Sequence, residues 1–150
     1  MTHAPYAYKH VRSKRYIFIS IGRKRIEKVV DFIPLKPKRF MNLGFGDLLP
    51  DGSIDYRVNS NNGDIIKVLA TVVDILRHFM TLHPQKVIYF RGSTDERTKL
   101  YSRIIRTYYP TFSKEFEIIG IIGTIKDNST IPFDPKMDLE YWAFLIRRIA

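Results

Sequence analysis

The chain contains 150 residues, of which 45% are hydrophobic and 27% are charged, a composition typical of a soluble globular protein. No apolar run approaches the ~20 residues that span a bilayer, so we expect no membrane segment. The sequence contains no cysteine, which excludes disulfides and thiolate metal sites and agrees with a cytoplasmic location.

The net charge of +10 is concentrated near the N-terminus. Residues 1–40 carry eleven basic and two acidic side chains, a net of +9, whereas the other 110 residues carry fourteen basic and thirteen acidic ones. Such a segment attracts polyanions. We therefore expect residues 9–39 to bind nucleic acid or another polyanion, with Arg23, Lys24 and Arg25 at the centre. The alternative interpretation is a solvated hairpin whose lysines prevent its edges from pairing with other strands.

The first part of the chain predicts an antiparallel meander of four strands. Residues 1–13 are expected to form a polar leader with disorder. Beyond them, β-branched and aromatic residues predict strands over 15–21, 25–33, 40–48 and 53–58. The tripeptides at 22–24 and 50–52 are typical of turns.

Helical periodicity follows the meander. Apolar residues recur every three or four positions from Ile65 to Phe79, which predicts a deeply buried helix over 64–82 with Asn62 or Asp64 as its cap. Residues 86–90 form a short apolar run suited to an interior strand.

A second helix is predicted over 95–109. Ser93 and Glu96 have the spacing of a capping box, and Pro110 is expected to end the helix. Its predicted core stripe consists of Leu100, Ile104 and Tyr108. Residues 115–122 predict a strand and 127–129 a loop, while 139–149 suit either a strand or a short helix. These elements together predict one α/β (α+β) domain over 14–150, with a mixed, largely antiparallel sheet and two main helices.

Two polar loops, 60–64 and 91–95, carry the strongest functional signal. Each joins a predicted strand to a helix, and such loops lie at one edge of a sheet, where α/β proteins place ligands and helix N-termini favour anions. The candidate ligand-binding residues are Asn61, Asn62, Gly63, Asp64, Lys67, Arg91, Gly92, Ser93, Thr94, Arg97 and Tyr101. The alternative is that Asp64 and Asp95 cap the helices. In that interpretation Arg97 pairs with Asp47 or Asp55.

No complete catalytic signature accompanies the loops. The four histidines lack a metal-ligand spacing, and the sequence has no nucleophile elbow, phosphate loop or dinucleotide-binding glycine pattern. We therefore predict no metal site, assign no cofactor, and leave open whether the protein is an enzyme. Aromatic residues such as Tyr16, Phe18 and Phe32 would serve either as a nucleic-acid stacking platform or as core. A homo-oligomer is a further hypothesis.

The ordered segments 42–47, 61–64, 67–72, 92–94, 97–103 and 141–148 resemble a family of small bacterial proteins described only as a domain of unknown function. The resemblance covers roughly residues 14–148 and implies no activity. The order of elements, with Leu100 and Tyr101 in the second helix, is more weakly similar to the acetyl-CoA-dependent N-acetyltransferase superfamily. That similarity implies that Tyr101 is a general acid, although the loop at 61–64 has an acid where the superfamily has a second small residue.

Two functional hypotheses result. The first is a small binding or regulatory protein with a polar cleft at the two loops and a basic N-terminal hairpin. The second is an acyl-CoA-dependent enzyme similar to the N-acetyltransferases.

Overall fold

The computed structural model describes residues 4–56, 62–124 and 126–149, and within these ranges the chain forms nine strands and two helices. The strands are β1 (Tyr8–Arg12), β2 (Arg15–Ile21), β3 (Arg25–Pro34), β4 (Phe40–Leu48), β5 (Ile54–Asp55), β6 (Val87–Phe90), β7 (Phe116–Gly123), β8 (Asn128–Pro132) and β9 (Ala143–Arg148). The helices are α1 (Ile65–Leu82) and α2 (Asp95–Phe112).

The strands form a mixed sheet in the order β1-β2-β3-β4-β6-β9-β7-β8, and β5 pairs with β4. Strands β4 and β6 pair in parallel, whereas β1–β2, β2–β3, β4–β5, β6–β9, β7–β9 and β7–β8 are antiparallel. The prediction of a mixed sheet with two main helices is therefore confirmed. The chain divides into two compact units: a first unit of residues 1–33 and 43–84, and a second unit of residues 34–42 and 85–150.

The core of the first unit lies between its sheet and α1. Alternate residues of β2 face inward, as the period of two in a strand requires, and both Tyr16 and Phe18 are buried. On α1 the apolar face predicted from the sequence is buried over most of its length, and Phe79 stacks on Phe32 of β3 with ring centroids 3.8 Å apart. Ile65, which was predicted to belong to this face, is instead 45% exposed because it lies in the first turn.

Strand β1 replaces part of the predicted polar leader. Its residues are mostly exposed, so neither hydrophobicity nor alternation marks it in the sequence. Two rings nevertheless anchor it to Tyr16, since Tyr8 packs edge-on against that ring and His10 stacks on it at 4.3 Å. The backbone N–H of Tyr6 also donates to Thr71 Oγ1 on α1 at 2.8 Å.

The second unit combines strands β6 to β9 and the first residues of β4 with α2. Residues 139–149, which the sequence left undecided, contain β9, and its buried residues Ala143, Phe144 and Ile146 explain the strong apolar character of this segment. The predicted loop at 127–129 is wrong, because Asn128 begins β8. This strand is polar, so backbone pairing with β7 rather than side-chain burial defines it.

Helix α2 differs from the prediction at its end and on its buried face. It continues through Pro110 to Phe112, whose burial holds the last turn against the unit. The large side chains that it buries are Tyr101, Ile105 and Phe112, and the first two lie one position later than the predicted Leu100 and Ile104. The small polar residues Thr98 and Ser102 share this buried face, and a search for apolar periodicity does not detect them.

Of the predicted strand at 53–58, the described residues include β5, and residues 57–61 lie outside the described part of the chain. Within the described ranges, neither helix is sufficiently long and apolar to span a membrane.

Candidate functional site

The first polar loop is bound to the β2–β3 turn. Asn61 lies outside the described residues. Asn62 is 6% exposed, and its side-chain amide donates to Lys24 O at 2.7 Å and Ser20 Oγ at 3.0 Å while its Oδ1 accepts from Lys24 N at 2.7 Å. Gly63 is exposed. The polar groups of Asn62 thus have protein partners from a segment about forty positions earlier in the chain.

Asp64 occupies the N-cap position of α1, but its side chain makes no capping hydrogen bond. The carboxylate Oδ2 instead accepts from Tyr6 Oη and from Ser20 Oγ, both at 2.6 Å. Burial, followed by the hydrogen bond to Asp64, raises the pKa of Tyr6. The ammonium of Lys67 lies 4.4 Å from the centre of the Tyr6 ring, where a cation–π interaction holds it. The predicted capping of α1 by a side chain is therefore wrong. The Asp64 carboxylate accepts hydrogen bonds from Tyr6 and Ser20 instead of from the helix N-terminus.

The second polar loop begins α2 through Thr94. Its Oγ1 accepts from Arg97 N at 3.2 Å, so the predicted capping box of Ser93 and Glu96 is wrong. The Ser93 hydroxyl accepts from Arg97 Nη1 at 3.2 Å. Gly92 is packed against the first turn of the helix, since a Cβ built there would lie 2.6 Å from Thr98 N. Close backbone packing within the protein therefore accounts for this glycine.

Arg91 and Tyr101 also have protein neighbours. The Arg91 guanidinium lies 3.8 Å from the Trp142 ring centre, and it donates to Trp142 O and to Asp95 Oδ1. Tyr101 is 8% exposed and packs against Phe90, and burial raises the pKa of its phenol. Apart from Asn61, which lies outside the described residues, and the exposed Gly63, the predicted ligand residues discussed above have contacts within their own unit, and their binding role stays a prediction.

Arg23, Lys24 and Arg25 are exposed at the β2–β3 turn, and Lys9, Arg12 and Lys14 are exposed on β1 and the turn that follows it. We call these six residues the basic meander. Two further cations of the same strands are used inside the protein. Arg15 forms a bidentate salt bridge with Asp31, and Lys28 Nζ lies 2.5 Å from Asp47 Oδ1. Asp47 therefore has a partner other than the predicted Arg97.

A cavity of about 600 Å³, which the sequence did not predict, lies between α2 and residues 138–141. Its walls carry three cations, three carboxylates and four further residues: Lys99, Arg103, Arg106; Glu96, Asp138, Glu140; and Thr98, Ser102, Leu139, Tyr141. Two ion pairs connect its walls, Lys99–Glu140 at 3.3 Å and Arg106–Asp138 at 3.4 Å. The spacing of the α2 residues by three and four positions was a detectable signal, but the facing segment had no assigned structure.

Three residues of this cavity wall carry a buried polar atom without a hydrogen-bond partner in the described part of the protein: Ser102 Oγ, Arg106 Nε and Tyr141 Oη. Such a group typically costs about 1–3 kcal/mol when it stays unsatisfied. Burial raises the pKa of Tyr141. The neighbouring backbone of Asp134 opposes this shift. The concentration of unsatisfied groups distinguishes this wall from the two loops.

Among the described residues, no group of three or more histidine or carboxylate side chains is placed to hold a metal ion. Fold and site define an α+β protein with a mixed nine-stranded sheet, a basic meander and a polar cavity on α2. The chain belongs to a family of unknown function, DUF6934, whose model matches residues 2–149.

Membership of a family of unknown function was predicted and is confirmed. No curated protein and no solved structure matches the chain significantly. The bacterial origin and the similarity to N-acetyltransferases stay predictions.

Proposed function

We propose that the protein is a nucleic-acid-binding module that uses the basic meander. The observation that carries this proposal is the exposure of all six of its cations, with Glu27 as the exposed carboxylate of the same strands. Internal ion pairs account for Arg15 and Lys28. The excess positive charge of the N-terminal segment is thus presented to solvent, where it attracts phosphates.

The side chains that the strands bury indicate which groups are left to contact the nucleic acid. Tyr16, Phe18 and Phe32 are at most 2% exposed, so these rings belong to the core and do not form a stacking platform. The cations therefore contact the phosphate backbone, which carries no sequence information. The bonds from Asn62 to Lys24 hold the turn in place and present its cations in a fixed arrangement.

Fluorescence anisotropy with a labelled single strand of about 20 nucleotides tests this proposal. We expect affinity to fall steeply with salt, and the triple variant Arg23→Gln/Lys24→Gln/Arg25→Gln to reduce the salt slope by about two to three. The control Lys114→Gln/Lys126→Gln/Lys136→Gln removes the same charge from exposed positions of the second unit. Absent binding at low salt, or equal losses in both triple variants, would contradict the proposal.

An acyl-CoA-dependent enzyme similar to N-acetyltransferases is the second candidate. The order of the elements and the Leu100–Tyr101 pair in α2 favour the candidate, whereas burial raises the pKa of Tyr101 further from neutrality, which weakens it as a general acid. Asp64 also opposes the candidate, because a carboxylate at a helix N-terminus repels phosphate. If the enzyme hypothesis holds, millimolar acetyl-CoA should raise the melting temperature of the wild-type protein, and an unchanged melting temperature would remove it.

A cytoplasmic location, supported by the absence of cysteine, belongs to the same proposal. Self-association along β1, an end strand of the sheet order, stays a further hypothesis, which the mass of the protein in solution tests.

A further inference from the structure

The cavity between α2 and residues 138–141 has the features of a small-molecule site separate from the basic meander. Ser102 and Arg106 are one helical turn apart and project from the same side of α2. Tyr141 reaches the cavity from the facing segment. Ser102 and Tyr141 are each 6% exposed, and their hydroxyls and Arg106 Nε have no partner among the described residues.

We propose that this cavity binds a small molecule through a carboxylate or phosphate group. The guanidinium N–H can only donate and the two hydroxyls can donate as well as accept, so a ligand rich in acceptor oxygens can satisfy the three together. The charge on the guanidinium strengthens its bond to an anionic oxygen. Both hydroxyls are enclosed in the wall, so the proposed binding requires the Ser102 and Tyr141 side chains to turn toward the ligand.

The charge of the walls limits the ligand. Three cations and three carboxylates line the cavity, so its formal charge is zero. Lys99 and Arg106 already have carboxylate partners, and Arg103 is a third cation of the wall and is exposed. This balance favours a ligand with one anionic group and a polar remainder over a polyphosphate or nucleic acid. The volume of about 600 Å³ lies within the range of small-molecule sites.

Thermal unfolding in sodium phosphate and in sodium glutamate, each compared with sodium chloride at equal ionic strength, tests the proposal. We expect one of the two anions to raise the melting temperature by about 3 °C, and the anion whose rise depends on Ser102 and Tyr141 identifies the recognised group. Ser102→Ala and Tyr141→Phe should each remove at least about half of that rise. Neither variant should be less stable than the wild-type protein without ligand, because each removes an unpaired hydroxyl.

The triple variant Arg23→Gln/Lys24→Gln/Arg25→Gln is the control, and it should retain the full rise, which separates this site from the proposed nucleic-acid surface. Two results would overturn the inference: no rise beyond chloride with either anion, or an undiminished rise in the folded double variant Ser102→Ala/Tyr141→Phe. If a variant fails to fold, the inference is tested instead by the changes in the amide chemical shifts of the wild-type protein when either anion is added. Phosphate or glutamate must then perturb Ser102, Arg106 and Tyr141 more than Arg23 to Arg25.

Discussion

Lys28 is a charged side chain in the core of the first unit. It pairs in register with Phe18 of β2, so it lies on the inward face of β3 and is 5% exposed. Its ammonium contacts Asp47 at 2.5 Å and lies 5.5 Å from the Phe45 ring centre. Sequence patterning treats this lysine as part of the basic segment, whereas the structure uses its charge internally.

Lys28→Met should lower the free energy of unfolding by about 3–5 kcal/mol, because Asp47 then stays buried without its partner. Lys28→Met/Asp47→Leu should recover most of this loss. Urea denaturation measures both changes. The matched control is Arg147→Met, which breaks an exposed cross-strand pair with Glu117 and should cost less than about 1 kcal/mol. Equal costs for Lys28→Met and Arg147→Met would contradict the buried-pair assignment.

Helix α2 shows how tertiary contacts override local stop signals. Pro110 lacks the N–H that would donate to the carbonyl of Arg106, yet the helix continues to Phe112. The backbone N–H of Ser113 donates to Tyr109 O, which completes the last turn. Burial of Phe112 therefore offsets the cost of an interior proline.

Pro110→Ala should raise the free energy of unfolding by about 1–3 kcal/mol, because it restores a helical hydrogen bond and removes a steric clash. The control Pro132→Ala, at the end of β8, makes the unfolded chain more flexible by the same amount without a helical bond to restore. Guanidinium denaturation compares the two. A Pro110→Ala protein no more stable than Pro132→Ala would show that the helix is not strained there.

At the scale of the whole molecule, tyrosine burial couples stability to high pH. Burial raises the pKa of Tyr16 to about 12, and it shifts the pKa of five other tyrosines in the same direction. These are Tyr6, Tyr8, Tyr56, Tyr101 and Tyr141. The native state then retains protons that the unfolded chain releases above its ordinary tyrosine pKa of about 10. The contribution of these tyrosines to the free energy of unfolding is therefore fully present below pH 10 and falls as the pH rises toward 12.

Tyr16→Phe should weaken this pH dependence by up to about 2 kcal/mol between pH 10 and 12, because phenylalanine has no proton to release. Unfolding by urea at pH 8, 10 and 12 measures the effect. The comparison at pH 8 isolates the loss of the 2.7 Å contact between Tyr16 Oη and His78 Nδ1. An identical fall for wild type and variant above pH 10 would assign the dependence to other tyrosines.

Local chemistry was sufficient to predict β2, β4, α1 and the two meander turns from the sequence. Their signals are alternation, helical periodicity and turn residues, which depend only on neighbours in the chain. It was not sufficient for β1 and β8, whose residues are polar and whose pairing partners define them. Apolar periodicity also predicted the wrong buried face for α2, because Thr98 and Ser102 lie on that face and are polar.

The sequence by itself determined the fold class, most of the elements and the concentration of positive charge near the N-terminus. Only the tertiary structure decided that Asp64 accepts from Tyr6 and Ser20, that Lys28 pairs with Asp47, and which residues form the cavity on α2. The physical reason is the different separation along the chain over which these interactions act. Periodicity and capping act over three or four residues, whereas the partner of a buried polar group is chosen by packing between segments that lie tens of residues apart.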